Sequence, residues 1–413
     1  MTVKQFPNEP VASLLSDRRR FLGGAAAAAA LLASSARNAI ANDKVVKVGM
    51  LLAMSGPLAS IGESVLAGAR LYQKTHEKEL PAGVKVEMLL RDDAGNPDNT
   101  RRLAQELVVR ERAQLLAGMS ITPQAITVAP LATSTKVPVV IMSAATARVT
   151  RESPYFVRVA NTFWQTSYTL GEWAAKNGHK RVYTLVADYA SGHDVETAFS
   201  TGFKKNGGEI VGSVRVPVAT TDFLPYMQRV KETNPDAMLL WVNAGRAVAT
   251  IKAFTDTGLR QAGIKMLSTQ DMSIDDELAK MSDDVLGLVT ANFYQSHTNL
   301  PKNREFVSAW KQEHGAGSIP NFMAVSGWDG MAAIYALAKE TKGAFDGEGA
   351  LKFLSNWKTN DSPRGSLVID PQTRDAVQTI YISRVEKVDG KPTAVVFDKI
   401  EEVKDPWKIL NPA

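Results

Sequence analysis

Short apolar, β-branched runs alternate along this chain with longer segments whose apolar residues recur at helical spacing. Residues 45–52 (Val-Val-Lys-Val-Gly-Met-Leu-Leu) read as a strand closed by Ser55-Gly56-Pro57, and 58–78 read as the helix that follows. The pattern predicts a strand at 84–91, a helix at 98–112, a strand at 114–117, a helix at 123–135 and a strand at 137–142. A second series starts after Asn161, with helices at 162–177, 194–206, 223–233 and 246–257 between strands at 181–187, 209–216, 237–242 and 265–268. Alternation of this kind builds parallel sheets covered by helices on both faces. A strand at 286–294 and helices at 303–314 and 323–342 come next. The stretch 365–399 then switches to hairpin-like strands around the Asp389-Gly390 turn. The fold class is therefore α/β, with two doubly wound lobes and more than one passage between them.

The first 41 residues follow a different pattern. Asp17-Arg18-Arg19-Arg20-Phe21-Leu22-Gly23 leads into an uncharged, alanine-rich run and then Ala39-Ile40-Ala41, small residues flanking one larger one. This reads as an export signal with a twin arginine, cleaved after Ala41; the run is shorter than the roughly 20 residues of a membrane span. The whole chain has 413 residues and a formal charge of +5. Removing 1–41 takes away five basic and two acidic residues, leaving 43 basic and 41 acidic groups. The basicity belongs largely to the leader, so the remainder gives no footprint for nucleic acid. The absence of cysteine excludes disulfides, thiolate metal sites and cysteine nucleophiles, and it suits an oxidising compartment.

Motifs for catalysis fail in turn. The first strand-to-helix loop lacks the glycine spacing of a dinucleotide site, and no phosphate-binding loop or His-Glu-x-x-His occurs. Gly118-Met119-Ser120 opens like a nucleophile elbow without the closing glycine. Asp92-Asp93-Ala94-Gly95-Asn96-Pro97-Asp98 lacks the spacing of a calcium loop and reads as a turn, with Asp98 capping the next helix. His193-Asp194 suggests a base and its orienting carboxylate, but Asp194 is expected to cap a helix instead. The expectation is a protein that is no enzyme and takes no metal or cofactor.

Lys47-Val48-Gly49-Met50-Leu51-Leu52-Ala53-Met54-Ser55-Gly56-Pro57-Leu58-Ala59-Ser60-Ile61-Gly62-Glu63, with Gly68-Ala69 beyond it, resembles the opening of the solute-binding proteins of branched-chain-amino-acid-type ABC importers. Asp92-Asp93, the stretch 118–123, Val137-Pro138-Val139 leading to Ser143-Ala144-Ala145-Thr146, the loop 188–192 and the segment 306–315 extend the resemblance over the chain after the leader. It implies a type I periplasmic binding fold: two lobes joined by three crossovers, here near Asn161, Tyr294 and Pro363, with 42–161 and 294–362 in one lobe and 162–293 and 363–413 in the other. It also implies a monomer that captures a small carboxylate-bearing solute in the cleft and delivers it to an ABC permease of the inner membrane. Open parallel sheets do bind ligands beyond the carboxyl ends of their strands.

The resemblance places the carboxylate grip at Ser120 and Thr122 in one loop, and at Ala144, through its N–H, and Thr146 in the next. Thr122-Pro123 also reads as an N-cap followed by proline at the first helical position, where an anion meets the positive end of the helix dipole. In the second lobe the chain departs from the amino-acid pattern. Ser191 stands where those proteins carry tyrosine, and Gln270 stands at the position of the carboxylate that receives an ammonium, with Asp271 one residue on as the alternative. Tyr189, Trp241 and Tyr294 are candidates to line the pocket. An amide cannot neutralise an ammonium, so the expected ligand is an aromatic or aryl-keto acid. Branched-chain or other amino acids, a sensor of the same fold and an enzyme using the cleft are the competing readings.

Overall fold

A parallel sheet and a larger mixed sheet, each covered by helices, organise the computed structural model, which describes residues 1–2, 44–242 and 245–412. The leader and its cleavage site lie outside the described residues. The first sheet has the order β2-β1-β3-β4-β5, formed by β1 (Lys44–Leu52), β2 (Val84–Asp92), β3 (Leu115–Gly118), β4 (Val139–Ile141) and β5 (Phe156–Arg158). The pairs β1–β3, β3–β4 and β4–β5 are parallel. The second sheet runs β11-β12-β13-β10-β9-β8-β6-β7. Its parallel half is β6 (Arg181–Ala187), β7 (Glu209–Val216), β8 (Ala237–Trp241), β9 (Lys265–Thr269) and β10 (Val289–Asn292). Antiparallel strands β11 (Lys358–Ser362), β12 (Gly365–Ile369) and β13 (Ala376–Val388) extend it, and β14 (Lys391–Val403) pairs with β13.

The central strands are buried on both faces, as their continuous apolar runs require: Val46, Val48, Met50, Leu51 and Leu52 of β1 and Val182, Leu185 and Val186 of β6 are inaccessible to solvent. Each lobe carries a pair of tightly crossed helices in which glycine faces backbone. In the pair Ala59–His76 and Phe322–Thr341, a Cβ on Gly68 would lie 1.8 Å from the Ala324 carbonyl oxygen. In the pair Phe163–Lys176 and Ala190–Lys205, a Cβ on Gly171 would lie 2.3 Å from that of Phe199.

The chain leaves the first sheet after β5, returns after β10 to the helices Pro301–His314, Phe322–Thr341 and Gly347–Leu354, and rejoins the second sheet at β11. One buried cation touches all three connections. Arg364 pairs with Asp329 of the Phe322–Thr341 helix at 2.8 Å, donates to the carbonyl of Val159 at 2.5 Å and to Gln378 at 2.5 Å, and lies 4.9 Å from the Phe293 ring centroid.

Several local expectations shift. The helix after β6 begins at Ala190, four residues before Asp194, so Asp194 is not its cap. Asn96, not Asp98, caps the Pro97–Gln105 helix, accepting from the N–H groups of Asp98 and Asn99. That helix ends in a wide π turn at Glu106–Arg110 instead of continuing to 112. The Asp389-Gly390 turn forms as read, with both residues at positive φ and Val388 opposite Lys391.

Candidate functional site

The first wall of the candidate cleft is the pair of turns that follow β3 and β4. At the end of β3 the backbone takes positive φ at Gly118 (φ +103°) and again at Met119 (φ +65°), a conformation that non-glycine residues adopt at a cost. A Cβ on Gly118 would sit 2.4 Å from the Leu51 carbonyl oxygen, so β1 itself demands glycine there. A buried latch holds the turn: the Gln124 side chain accepts from the Ile121 N–H at 2.8 Å and donates to Asp93 at 2.5 Å. Asp93, fully buried, also accepts from Thr100 at 2.9 Å and the Gly95 N–H at 3.0 Å. Burial nonetheless pushes its carboxyl above the usual range.

On this frame Thr122 and Thr146 meet, their hydroxyl oxygens 2.7 Å apart and both side chains nearly enclosed. Ile121 occupies the N-cap position and Thr122 is the first residue of the Thr122–Thr135 helix, so its hydroxyl turns to Thr146 instead of capping. Ser120 lies beside them, but its hydroxyl accepts from the Ala53 N–H at 3.0 Å and ties the turn to the end of β1. The Ala144 N–H donates to the Met119 carbonyl at 3.0 Å. It joins the two turns to each other, contrary to the expectation that it would meet the ligand.

Residues 144–147 also touch the second lobe on two sides. The Ala145 carbonyl accepts from the Phe163 N–H at 2.9 Å, and the Ala147 N–H donates to Asp194 Oδ2 at 3.1 Å. Burial raises the Asp194 carboxyl above its ordinary range. Its neighbour His193 pairs instead with Asp188 at 2.8 Å on the surface, so the two adjacent residues form no base with an orienting carboxylate.

The second wall is aromatic. Trp241, at the end of β8, packs edge-to-face with Phe163 (centroids 5.3 Å apart, planes at 79°) and lies 5.7 Å from Tyr189. Its indole N–H donates to Asp271 Oδ2 at 3.1 Å, and the Thr269 hydroxyl donates to the same oxygen at 3.1 Å. Asp271 is desolvated and its carboxyl is pushed up. Gln270 is 1% exposed, and its Oε1 meets no donor among the described residues. Ser191 is buried in the first turn of the Ala190–Lys205 helix. Tyr294 departs from the expectation of a lining residue: its hydroxyl donates to Asn303 at 2.9 Å and its ring meets the Phe306 edge, which places it in the core at the second crossover.

The structure thus joins Thr122 to Thr146 and, separately, Tyr189 to Trp241 and Asp271. Sequence reasoning missed Phe163, Asp194 and the Asp93–Gln124 latch. For Phe163 a signal existed: Thr162 and Gln165 form a capping box, which fixes a helix start at the crossover and so the place of the ring. Among the described residues no cluster of three or more His, Asp or Glu side chains is arranged to hold a metal. A cavity of about 1600 Å³ runs along β12, β13 and β14 beside His297–Leu300 and contains none of the candidate side chains.

A family profile described as "Periplasmic binding protein" matches residues 45–391. A Brucella melitensis protein named Leu/Ile/Val-binding protein homolog 6 is 36% identical over 347 residues, 84% of this chain and 88% of that one. Among solved structures, a solute-binding protein of an ABC transporter from Rhodopseudomonas palustris BisB5, in complex with 3,4-dihydroxybenzoic acid, is 45% identical with a TM-score of 0.83, covering 88% of this chain and 99% of that one. A second, from R. palustris in complex with 4-hydroxybenzoate, is 35% identical with a TM-score of 0.83, covering 89% and 100%. A leucine-binding protein of Thermotoga maritima, 22% identical with a TM-score of 0.73 over 86% of this chain and 99% of that one, shares the fold.

Proposed function

The chain belongs to the periplasmic binding protein family, as a substrate-binding component of an ABC transporter, and from that premise we propose that its ligand is a hydroxylated benzoate. Proteins of this family are exported, bind small molecules and deliver them to membrane permeases. Theirs is not an enzyme family.

The observation that carries the ligand class is the surrounding of Trp241, whose ring is flanked by Phe163 and Tyr189 and whose N–H holds the Asp271 carboxylate. An α-ammonium requires a carboxylate in the second wall. Here Oδ2 of Asp271 already accepts from the Trp241 indole and the Thr269 hydroxyl, so an amine buried beside it must compete with two donors for that carboxylate. A flat ring suits the aromatic wall, through stacking and burial. Gln270 Oε1, buried without a donor among the described residues, is an acceptor that a phenolic O–H satisfies. At the other end the ligand carboxylate meets the Thr122 and Thr146 hydroxyls at the N-terminus of the Thr122–Thr135 helix. Complexes of 35–45% identical proteins with hydroxybenzoates support this reading.

A melting-shift screen tests it, since ligand at 100 times its dissociation constant adds about 2.7 kcal/mol to stability. 3,4-Dihydroxybenzoate and 4-hydroxybenzoate should raise the midpoint, benzoate less, and leucine not at all. A shift with leucine and none with any aryl acid would reverse the assignment and make Asp271 the ammonium partner. The proposal includes a leader removed after Ala41; mass spectrometry of the exported protein should find Asn42 first, and an intact Met1 would contradict it.

A further inference from the structure

A buried guanidinium stands behind the second ligand turn. Arg158, the last residue of β5, is inaccessible to solvent, and its Nη1 donates to the carbonyls of Ala144 at 3.0 Å and Thr146 at 2.8 Å. Its Nη2 donates to the Ala147 carbonyl at 3.3 Å. Three of the four carbonyls in 144–147 therefore converge on one planar fork, and the fourth, of Ala145, is taken by the Phe163 N–H. The remaining capacity of the guanidinium goes to Asp375, whose Oδ1 lies 2.9 Å from Nε and 2.8 Å from Nη2. Asp375 Oδ2 receives the Lys408 ammonium from the C-terminal helix Pro406–Leu410. Lys408 also donates to the hydroxyl of Thr150 and to the Thr373 carbonyl, at 3.1 Å for the latter. Arg151 seals the same corner, its guanidinium 4.5 Å from the Trp407 ring centroid.

Three charged side chains are thus buried where a hydrophobic trio of the same volume would avoid the desolvation penalty. Their shared geometric effect is on one turn. We propose that Arg158, Asp375 and Lys408 are positioning residues for the ligand site, a brace that fixes the 144–147 backbone so that Thr146 meets Thr122 and that makes the C-terminal helix part of the carboxylate grip. This rests on the reading that Thr122 and Thr146 hold the ligand carboxylate. Only a planar, five-donor fork spans three carbonyls and a carboxylate together, so lysine cannot replace Arg158. Lys408 acts through Asp375 and touches no candidate ligand group.

The test titrates 3,4-dihydroxybenzoate into the exported protein and its variants by calorimetry, with hydrogen–deuterium exchange of the 144–147 amides measured in parallel. Arg158→Lys should weaken binding about tenfold or more, and Lys408→Met by roughly three- to tenfold, in the range expected for loss of charged hydrogen bonds. Lys408→Arg should restore affinity to within about twofold. Exchange should quicken in 144–147 and stay unchanged in β6, β8 and β9, a local signature that a general loss of stability does not produce. Should Arg158→Lys not fold, Lys408→Met and the uncharged isostere Thr150→Val decide, by the same affinity loss. Thr146→Val separates the two layers. If Thr146→Val weakens binding while folded Lys408→Met and Thr150→Val bind and exchange like the parent, the brace is wrong and the site stands. If Thr146→Val binds like the parent, the site assignment itself fails.

Discussion

In the first lobe the candidate ligand groups are two hydroxyls on turns held by buried polar groups: Asp93 and Gln124 behind Thr122, Arg158 behind Thr146. In the second lobe they are the ring faces of Tyr189 and Trp241 and the carboxamide of Gln270, and the Asp271 carboxylate is already tied to Trp241 and Thr269. The first wall is specified by backbone geometry, which suits a group common to many ligands, an anionic carboxylate. The second is specified by side-chain identity at a few strand ends, where substitution changes the ligand without disturbing the fold. That division predicts which changes abolish binding and which only alter selectivity.

The largest effect should come from Trp241→Leu, which removes the central ring face and frees Asp271 from its indole donor. Affinity for 3,4-dihydroxybenzoate should fall about 30- to 100-fold by calorimetry, as for truncation of a buried aromatic anchor; a loss under threefold would show that the ring is core alone. Thr146→Val strikes the first wall. It should weaken every aryl carboxylate by about ten- to thirtyfold, hydroxylated or not, through loss of a charge-assisted hydrogen bond. Gln270→Leu is the converse. It should cost 3,4-dihydroxybenzoate and 4-hydroxybenzoate about fivefold while leaving benzoate unchanged or improved, because only a phenol uses the acceptor. Equal losses for all three ligands would contradict the contrast between the walls.

The smallest effect concerns the electrostatics behind the first wall. Burial, reinforced by the negative charge of Asp375, pushes the Asp405 carboxyl up to about 7. The folded protein then keeps a proton that the unfolded chain releases near pH 4, so the contribution of Asp405 to stability is greatest below that pH and declines until pH passes about 7. Asp405→Asn should remove this decline. Its melting temperature should equal that of the parent near pH 4 and exceed it by roughly 2–4 °C at pH 8. A difference that is constant with pH would mean that Asp405 does not titrate in this window.

The parallel strands of both sheets were legible because burial on two faces forces continuous apolar runs such as those of β1 and β6. The short strands β5 and β11 were not. β5 has three residues, and β11, Lys-Thr-Asn-Asp-Ser, owes its extension to pairing with β12 and not to its own apolar pattern. Thr122 and Thr146 were visible through family motifs, and the structure supplied the contact between them. Asp194 misled because an acidic residue near a helix start resembles a cap, whereas its partner, the Ala147 N–H, comes from the other lobe. Arg158 carries no local signal at all. Its three carbonyl partners lie 11 to 14 residues before it and its ion-pair partner 217 after it, a constellation that only the folded chain assembles.

The most direct test of the contrast is a competition on one protein sample: calorimetric titration with 3,4-dihydroxybenzoate, alone and in the presence of excess leucine. If the second wall selects a ring and rejects an α-ammonium, the aryl acid binds with the same affinity and enthalpy in both titrations. If leucine suppresses the heat of 3,4-dihydroxybenzoate binding, or binds where the aryl acid does not, the second wall is an amino-acid site and the account is wrong.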